Sequence, residues 1–139
     1  MDQAGNVHEV GSNVLRFKKG DRVIGHSWQF MTDKPEDGAF SLFCRITVAN
    51  AAALPEEIKY TEGVVLGLTT DNAADEFQQP ECMGLEFPFM STKSNSKSEV
   101  VVVYSGSSSV GCVAIQLAVN AGYRVLATAS PKHFDGARH

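Results

Sequence analysis

Residues 100–104 form an unbroken apolar run, mostly β-branched, a pattern suited to a strand buried on both faces, as in a parallel sheet. A Gly/Ser turn follows at once. Past it, Val110, Val113, Ala114, Leu117, Ala118 and Ala121 recur at helical spacing and predict a helix that packs one face back on that strand, with Gly122 as its stop. Residues 124–129 read as a second strand. Upstream the pattern is finer. Val7, Val10, Val14, Leu15 and Phe17 bracket turns at 11–13 and 18–20 and read as short β segments, and 21–25 is another short strand. Over 38–48, Phe40, Leu42, Cys44, Ile46 and Val48 alternate with Ser41, Phe43, Arg45 and Thr47, which predicts a strand with one buried face. The charged stretch 32–37 before it reads as a surface loop. Beyond Leu54 and Pro55, Thr61 is a candidate helix cap, and Val64, Leu68, Ala73, Ala74 and Phe77 give the helix after it an apolar face. Residues 78–98, with Pro80, Pro88 and the polar tract STKSNSKSE, have no period and read as a long exposed connection.

Strand, Gly-turn, helix and strand in this order make the first βαβ unit of a dinucleotide-binding fold. Aligned on G-x-G-x-x-G, the turn offers Gly106, Ser108 and Gly111, so a serine stands where the middle glycine lets the backbone approach a pyrophosphate. Context supports the motif. Ser107, Ser108 and Ser109 add hydroxyls to the N–H groups of a helix start that runs through Val110, and such a start favours phosphate. A Ser-rich turn without a ligand fits the same letters.

An NAD site carries Asp or Glu about 20 residues further on, against the ribose 2′-hydroxyl. Here TASPKHFD puts Ser130 in that place, followed by Lys132. With no carboxylate to repel a 2′-phosphate and a cation to attract one, the pair points to NADPH rather than NADH. A plainer role for both, capping and solvating a following helix, stays open. Reading the turn as the nucleophile elbow of a serine hydrolase fails on spacing, because G-x-S-x-G from Gly106 needs glycine where Val110 stands.

Composition narrows the field further. With 139 residues, 43% of them hydrophobic, the chain has the length of one ordinary domain. A formal charge of −4, with no basic cluster longer than Lys18 and Lys19, argues against nucleic acid or an anionic membrane surface as partner. No apolar run approaches the roughly 18 residues of a membrane span, and MDQAGNVHEV does not read as a signal peptide. The expectation is a soluble, cytoplasmic protein. Cys44, Cys82 and Cys112 lie too far apart for a disulfide framework or a structural zinc site, and nothing near Cys112 reads as the partner of a nucleophile.

In order, the segments VGSNVLRFKKGDRVIGH, EGVVLGLTT, VYSGSSSVG, AIQLAVNAGY and ATASPKHFD resemble the medium-chain dehydrogenase/reductase superfamily over nearly the whole chain. Within it they are most similar to the zinc-independent fungal branch that contains trans-acting enoyl reductases of polyketide biosynthesis. The resemblance implies an α/β architecture: a partial GroES-like β domain over 1–60, a connecting helix and linker over 61–98, and the first βαβ unit of a Rossmann domain over 99–139. It implies NADPH as cofactor, with Gly106, Ser107, Ser108, Ser109, Val110 and Gly111 at the pyrophosphate. Ser130 and Lys132 would take the 2′-phosphate, and Thr69 would lie near the nicotinamide. It further implies hydride transfer to the β-carbon of an α,β-unsaturated thioester, a small-molecule or acyl-thioester substrate, and a polyketide synthase as the partner class, with an oligomer compatible. No residue stands out as the proton donor. The histidine that ligates catalytic zinc in related alcohol dehydrogenases is replaced by Met1, with Asp2 at the adjoining glutamate. His8, His26, His133 and His139 therefore read as surface or packing residues. Family members are more than twice this length, so the sheet expected here is partial and little turnover is expected of this chain alone. A non-catalytic nucleotide-binding or partner-binding remnant is the alternative.

Overall fold

A computed structural model describes residues 1–86, 88 and 97–133. The chain divides into two compact units, Met1–Leu68 and Thr69–His139.

Pairing, more than apolar content, creates the strands of the first unit. Strand β1 (Asp2–Asn6) has the polar sequence DQAGN, yet it pairs antiparallel with β2 (Arg22–His26), Asp2 opposite His26 and Asn6 opposite Arg22. The chain returns through a turn at Gly20, whose φ of +94° favours glycine, and the Lys18 N–H donates to the Asp21 carboxylate at 2.9 Å. After the single turn α1 (Gln29–Thr32), β3 (Ala51–Ala53) pairs antiparallel with the other edge of β2, giving the order β1-β2-β3. Close approach explains Gly25: a Cβ there would strike the Asn50 carbonyl and the Ile46 side chain. The Arg22 guanidinium then ties the following coil, donating to Tyr60 Oη at 3.1 Å and to the Pro55 and Ile58 carbonyls at 2.7 Å each.

Three expectations fail in this unit. No strand forms over 7–17, where Leu15 is fully exposed, and the actual strand lies earlier, at β1. The alternating stretch 38–48 is not a strand. Phe40 and Leu42 are 95% and 96% exposed, and Arg45 folds the segment back instead: its N–H bonds the Glu36 carbonyl and its guanidinium pairs with Glu36 and Asp37 at 3.0 Å each. Alternation is satisfied only where a neighbouring strand accepts the backbone bonds, and none among the described residues does here. The same guanidinium and a Thr32 hydrogen bond hold the Asp37 carboxyl below its usual range, the Thr32 bond contributing most. Helix α2 (Tyr60–Gly63) starts one residue before Thr61, after Lys59, whose N–H is taken by the Glu62 carboxylate at 3.1 Å. A 3₁₀ turn, Val64–Leu66, separates α2 from α3 (Gly67–Gln78), so the single helix expected after Thr61 is two helices with a break.

In the second unit, β4 (Val100–Val103) and β5 (Arg124–Ala127) are parallel, Val100 opposite Arg124 and Val103 opposite Ala127. They are joined by α4 (Ser109–Asn120), the right number of residues for a crossover that parallel strands require. Gly122, with φ of +90°, stops the helix as expected. Phe77, Val101, Val103, Ile115, Ala118, Ala121 and Tyr123 form the core, with Leu85 packed against it. Phe77 and Leu85 come from the stretch before residue 99. Phe77 meets the Tyr123 ring edge-on at 6.1 Å. Lys97 lies 4.1 Å over the Tyr123 ring and 2.6 Å from the Glu86 carboxylate, which holds its ammonium pKa above the usual value.

Two corrections apply here. β4 is buried on one face only: Val101 and Val103 turn to the core, whereas Val100 and Val102 are 43% and 66% exposed, because α4 covers one side and no described residue covers the other. Of the face expected on α4, Ala118 and Ala121 are buried in the core and Ala114 and Leu117 pack against it, but Val110 is exposed, and Gly111 and Ile115, not counted in that face, are buried. Most of the polar tract in 78–98 lies outside the described residues. No helix among the described residues is long and apolar enough to cross a membrane.

Candidate functional site

The Gly/Ser turn connects the C-terminal end of β4 to α4, and its shape follows from a few bonds. Ser105 has φ of +60°, a left-handed conformation uncommon for a residue with a side chain. The Ser105 N–H donates to Thr128 Oγ1 at 3.0 Å and the Gly106 N–H to the Thr128 carbonyl at 2.7 Å. Thr128 in turn donates its N–H to the Val103 carbonyl at 3.0 Å. The Ser108 N–H closes the turn on the Ser105 carbonyl at 2.9 Å. Ser108 is the N-cap of α4, and its Oγ accepts from the Gly111 N–H at 3.0 Å.

Each glycine of the fingerprint has a steric reason. Gly106 is buried, and a Cβ on it would lie 2.8 Å from Ala127 Cβ and 2.9 Å from Ile115 Cδ1. A Cβ on Gly111 would strike the Ser105 carbonyl oxygen and stand 2.9 Å from Ser108 Oγ and 3.0 Å from Gly106 Cα. The middle position tolerates a serine because Ser108 turns its side chain onto the helix end. That separates the three serines, which the sequence presented as equivalent: Ser108 is the cap, and Ser107 and Ser109 are exposed. The N–H groups of Ser107, Ser109 and Val110 have no partner among the described residues, and the first turn of α4 has no acidic residue. Unpartnered N–H groups at a helix start with no carboxylate beside them suit an anion.

The remaining predicted residues are placed less tightly. Ser130 and Lys132 are exposed just past β5, where the Pro131–His133 3₁₀ turn bonds the His133 N–H to the Ser130 carbonyl at 2.8 Å. Lys132 makes no ion pair among the described residues. Thr69 is half-buried in the first turn of α3 and makes no hydrogen bond with the turn. Thr128, which sequence reasoning passed over, is the residue most bonded to the turn; its position at the strand end, just before Ala129 and Ser130, was the one available signal.

The thiols and imidazoles have ordinary surroundings. Cys112 donates its S–H to the Gly106 carbonyl at 3.2 Å, Cys44 donates to Gln3 Oε1, and Cys82 is exposed. Burial pushes the Cys44 thiol pKa up, so it stays protonated near neutrality. His26 is buried and accepts from Trp28 Nε1 at 2.9 Å, His8 packs 4.8 Å from the Phe43 ring, and His139 lies outside the described residues. No three His, Cys, Asp or Glu side chains gather into a metal-binding group among the described residues. A groove of about 790 Å³ in the first unit runs along β1 and residues 39–46, and none of the residues expected at a cofactor lines it.

No family model matches the sequence. Its relatives are fungal dehydrogenases and trans-enoyl reductases. The trans-enoyl reductase himH of Aspergillus japonicus is 39% identical over 137 residues, covering 99% of this chain and 39% of the relative. Among solved structures, the CurK enoyl reductase superposes with a TM-score of 0.75 at 26% identity, over 99% of this chain and 37% of its own. The Escherichia coli quinone oxidoreductase, solved as a complex with NADPH, shares the fold with a TM-score of 0.68 at 23% identity, over 98% of this chain and 36% of its own. The chain spans about two fifths of the length of the relatives it matches.

Proposed function

We propose, from the chain's membership of the medium-chain dehydrogenase/reductase superfamily, among relatives that are enoyl and quinone reductases, that it is an oxidoreductase chain binding NADPH at the turn 106–111. The observation that carries this is the turn itself. Two glycines at which an added Cβ would collide with the fold sit beside three N–H groups that have no partner among the described residues, at a helix start between parallel strands. In this reading the Ser107, Ser109 and Val110 N–H groups and the exposed serine hydroxyls hold the pyrophosphate, and Ser108 keeps the helix end in place. Ser130 and Lys132 receive the 2′-phosphate, and Thr69 belongs to the nicotinamide side. Bound there, NADPH supplies a hydride for an activated C=C or carbonyl group. Such catalysis is mostly positioning.

The substrate class that fits the trans-enoyl reductase relatives is an α,β-unsaturated acyl thioester, and the partner class is a polyketide synthase that carries it. The first unit corresponds in this reading to a partial GroES-like domain and residues from 99 onward to the opening of a Rossmann domain.

Fluorescence titration with NADPH and NADH tests the assignment. The unaltered chain is expected to prefer NADPH, and Lys132→Glu to weaken NADPH binding about tenfold or more while leaving NADH nearly unchanged, since a charge-assisted phosphate contact contributes about 1.5–3 kcal/mol. Equal loss for both cofactors would remove Lys132 from the 2′-phosphate site, and no binding of either would remove the cofactor assignment.

A further inference from the structure

We infer that Thr128 is a positioning residue for the cofactor turn, fixing the left-handed Ser105 so that the N–H groups of Ser107, Ser109 and Val110 stay presented together. The inference rests on the NADPH reading of the turn. Its starting point is that Ser105 holds a costly conformation, with φ of +60° and a side chain that glycine would lack. Something must hold it. Thr128 does so twice over, accepting the Ser105 N–H on Oγ1 at 3.0 Å and the next N–H, from Gly106, on its carbonyl at 2.7 Å. Its own N–H is bonded to the Val103 carbonyl, the last residue of β4, so the threonine is anchored on the strand that precedes the turn.

The consequence reaches the helix start through one further bond. The Ser105 carbonyl accepts from the Ser108 N–H, and Ser108 caps α4 through Gly111. A shift at Ser105 therefore moves the cap. Only Oγ1 of Thr128 is separable by mutation, since the two backbone bonds survive any side-chain change. The N–H groups of Ser105 and Gly106 both point at Thr128, the residue after β5, so neither is presented to a ligand. That leaves the direct contacts to the three residues that follow and gives Thr128 no contact with phosphate of its own.

Thr128→Val removes Oγ1 at nearly constant shape, and Thr128→Ser keeps it. Loss of one hydrogen bond of ordinary strength predicts that Thr128→Val weakens NADPH and NADH by the same factor, about three- to tenfold, with Thr128→Ser within about twofold of the unaltered chain. Amide hydrogen exchange at Ser105, measured without cofactor, is expected to quicken in Thr128→Val and not in Thr128→Ser, with Val101 and Val103 unchanged. A merely structural role would instead quicken the β4 amides as well. The proposal is overturned if Thr128→Val leaves the Ser105 amide or cofactor affinity unchanged, or if it alters NADPH and NADH unequally, which would place Thr128 at the 2′-phosphate. Failure of the unaltered chain to bind either dinucleotide would overturn the cofactor reading, and this proposal with it; binding that Thr128→Val does not alter would overturn this proposal alone.

Discussion

Replacing Gly111 by alanine is expected to lower the stability of the second unit by about 1–3 kcal/mol and to weaken NADPH binding by more than about tenfold. The added Cβ would run into the Ser105 carbonyl oxygen, with Ser108 Oγ at 2.9 Å and Gly106 Cα at 3.0 Å. Two of these three neighbours are backbone, so no rotamer change relieves the contact. The turn has to open, and opening it breaks the Ser108 cap and misplaces the unpartnered N–H groups. Gly106→Ala meets side chains instead, Ala127 Cβ at 2.8 Å and Ile115 Cδ1 at 2.9 Å, so its cost falls on the core more than on the site. Gly5→Ala is the control. Nothing lies within 4 Å of the Cβ it would add, and its φ is not in the left-handed region. Thermal melting followed by circular dichroism, together with NADPH fluorescence titration, checks the set; Gly111→Ala melting and binding like the unaltered chain would refute the steric account.

The turn and its helix were legible because their signals are local. A β-branched run, a glycine-bearing turn, a helical period and Gly122 all act within a few residues of one another, and the parallel strands follow from the crossover between them. Even there the stripe was missed at its first turn. Gly111, Ile115 and Ala118 are spaced i, i+4 and i+7, but Gly111 has no apolar side chain to mark the start of the stripe, whereas the exposed Val110 beside it has one. The serines were legible as a phosphate-suited cluster but not as a cap and two exposed groups, although a serine three residues before Gly111 is a capping signal.

What stayed hidden depends on distant partners. β1 is polar and is a strand through its pairing with Arg22–His26, whereas 38–48 has a strand's alternation and no strand beside it among the described residues. The ion pairs of Arg45 with Glu36 and Asp37 decide that segment, and their geometry has no periodic signature. Thr128 is hidden for the same reason: its bonds to Ser105 and Gly106 cross from just past β5 to the turn over more than twenty positions of chain.

Phe77→Ala is expected to have the largest effect on stability, a loss of about 3–5 kcal/mol, the range for truncating a buried aromatic side chain. Phe77 is 3% exposed and joins α3 to the core made by β4, α4 and Tyr123, where it meets the Tyr123 ring edge-on at 6.1 Å. Two of the core residues, Ala118 and Ala121, are too short to reach into the space left behind. Set against the 5–15 kcal/mol that typically separates native from unfolded chains, such a loss unfolds a large share of the molecules near physiological temperature. In a unit of this size the melting midpoint should fall by more than about 10 °C. Val119→Ala, on the exposed side of α4 at 48% exposure, should stay within about 0.5 kcal/mol of the unaltered chain. Urea denaturation followed at 222 nm measures both. Although α3 also carries Thr69, assigned to the nicotinamide end in the proposed reading, the loss of Phe77 should lower NADPH affinity only in proportion to the unfolded fraction, with binding at low temperature unchanged. A loss of affinity that persists where the variant is fully folded would instead mean that Phe77 helps place α3 for the cofactor as well as burying it.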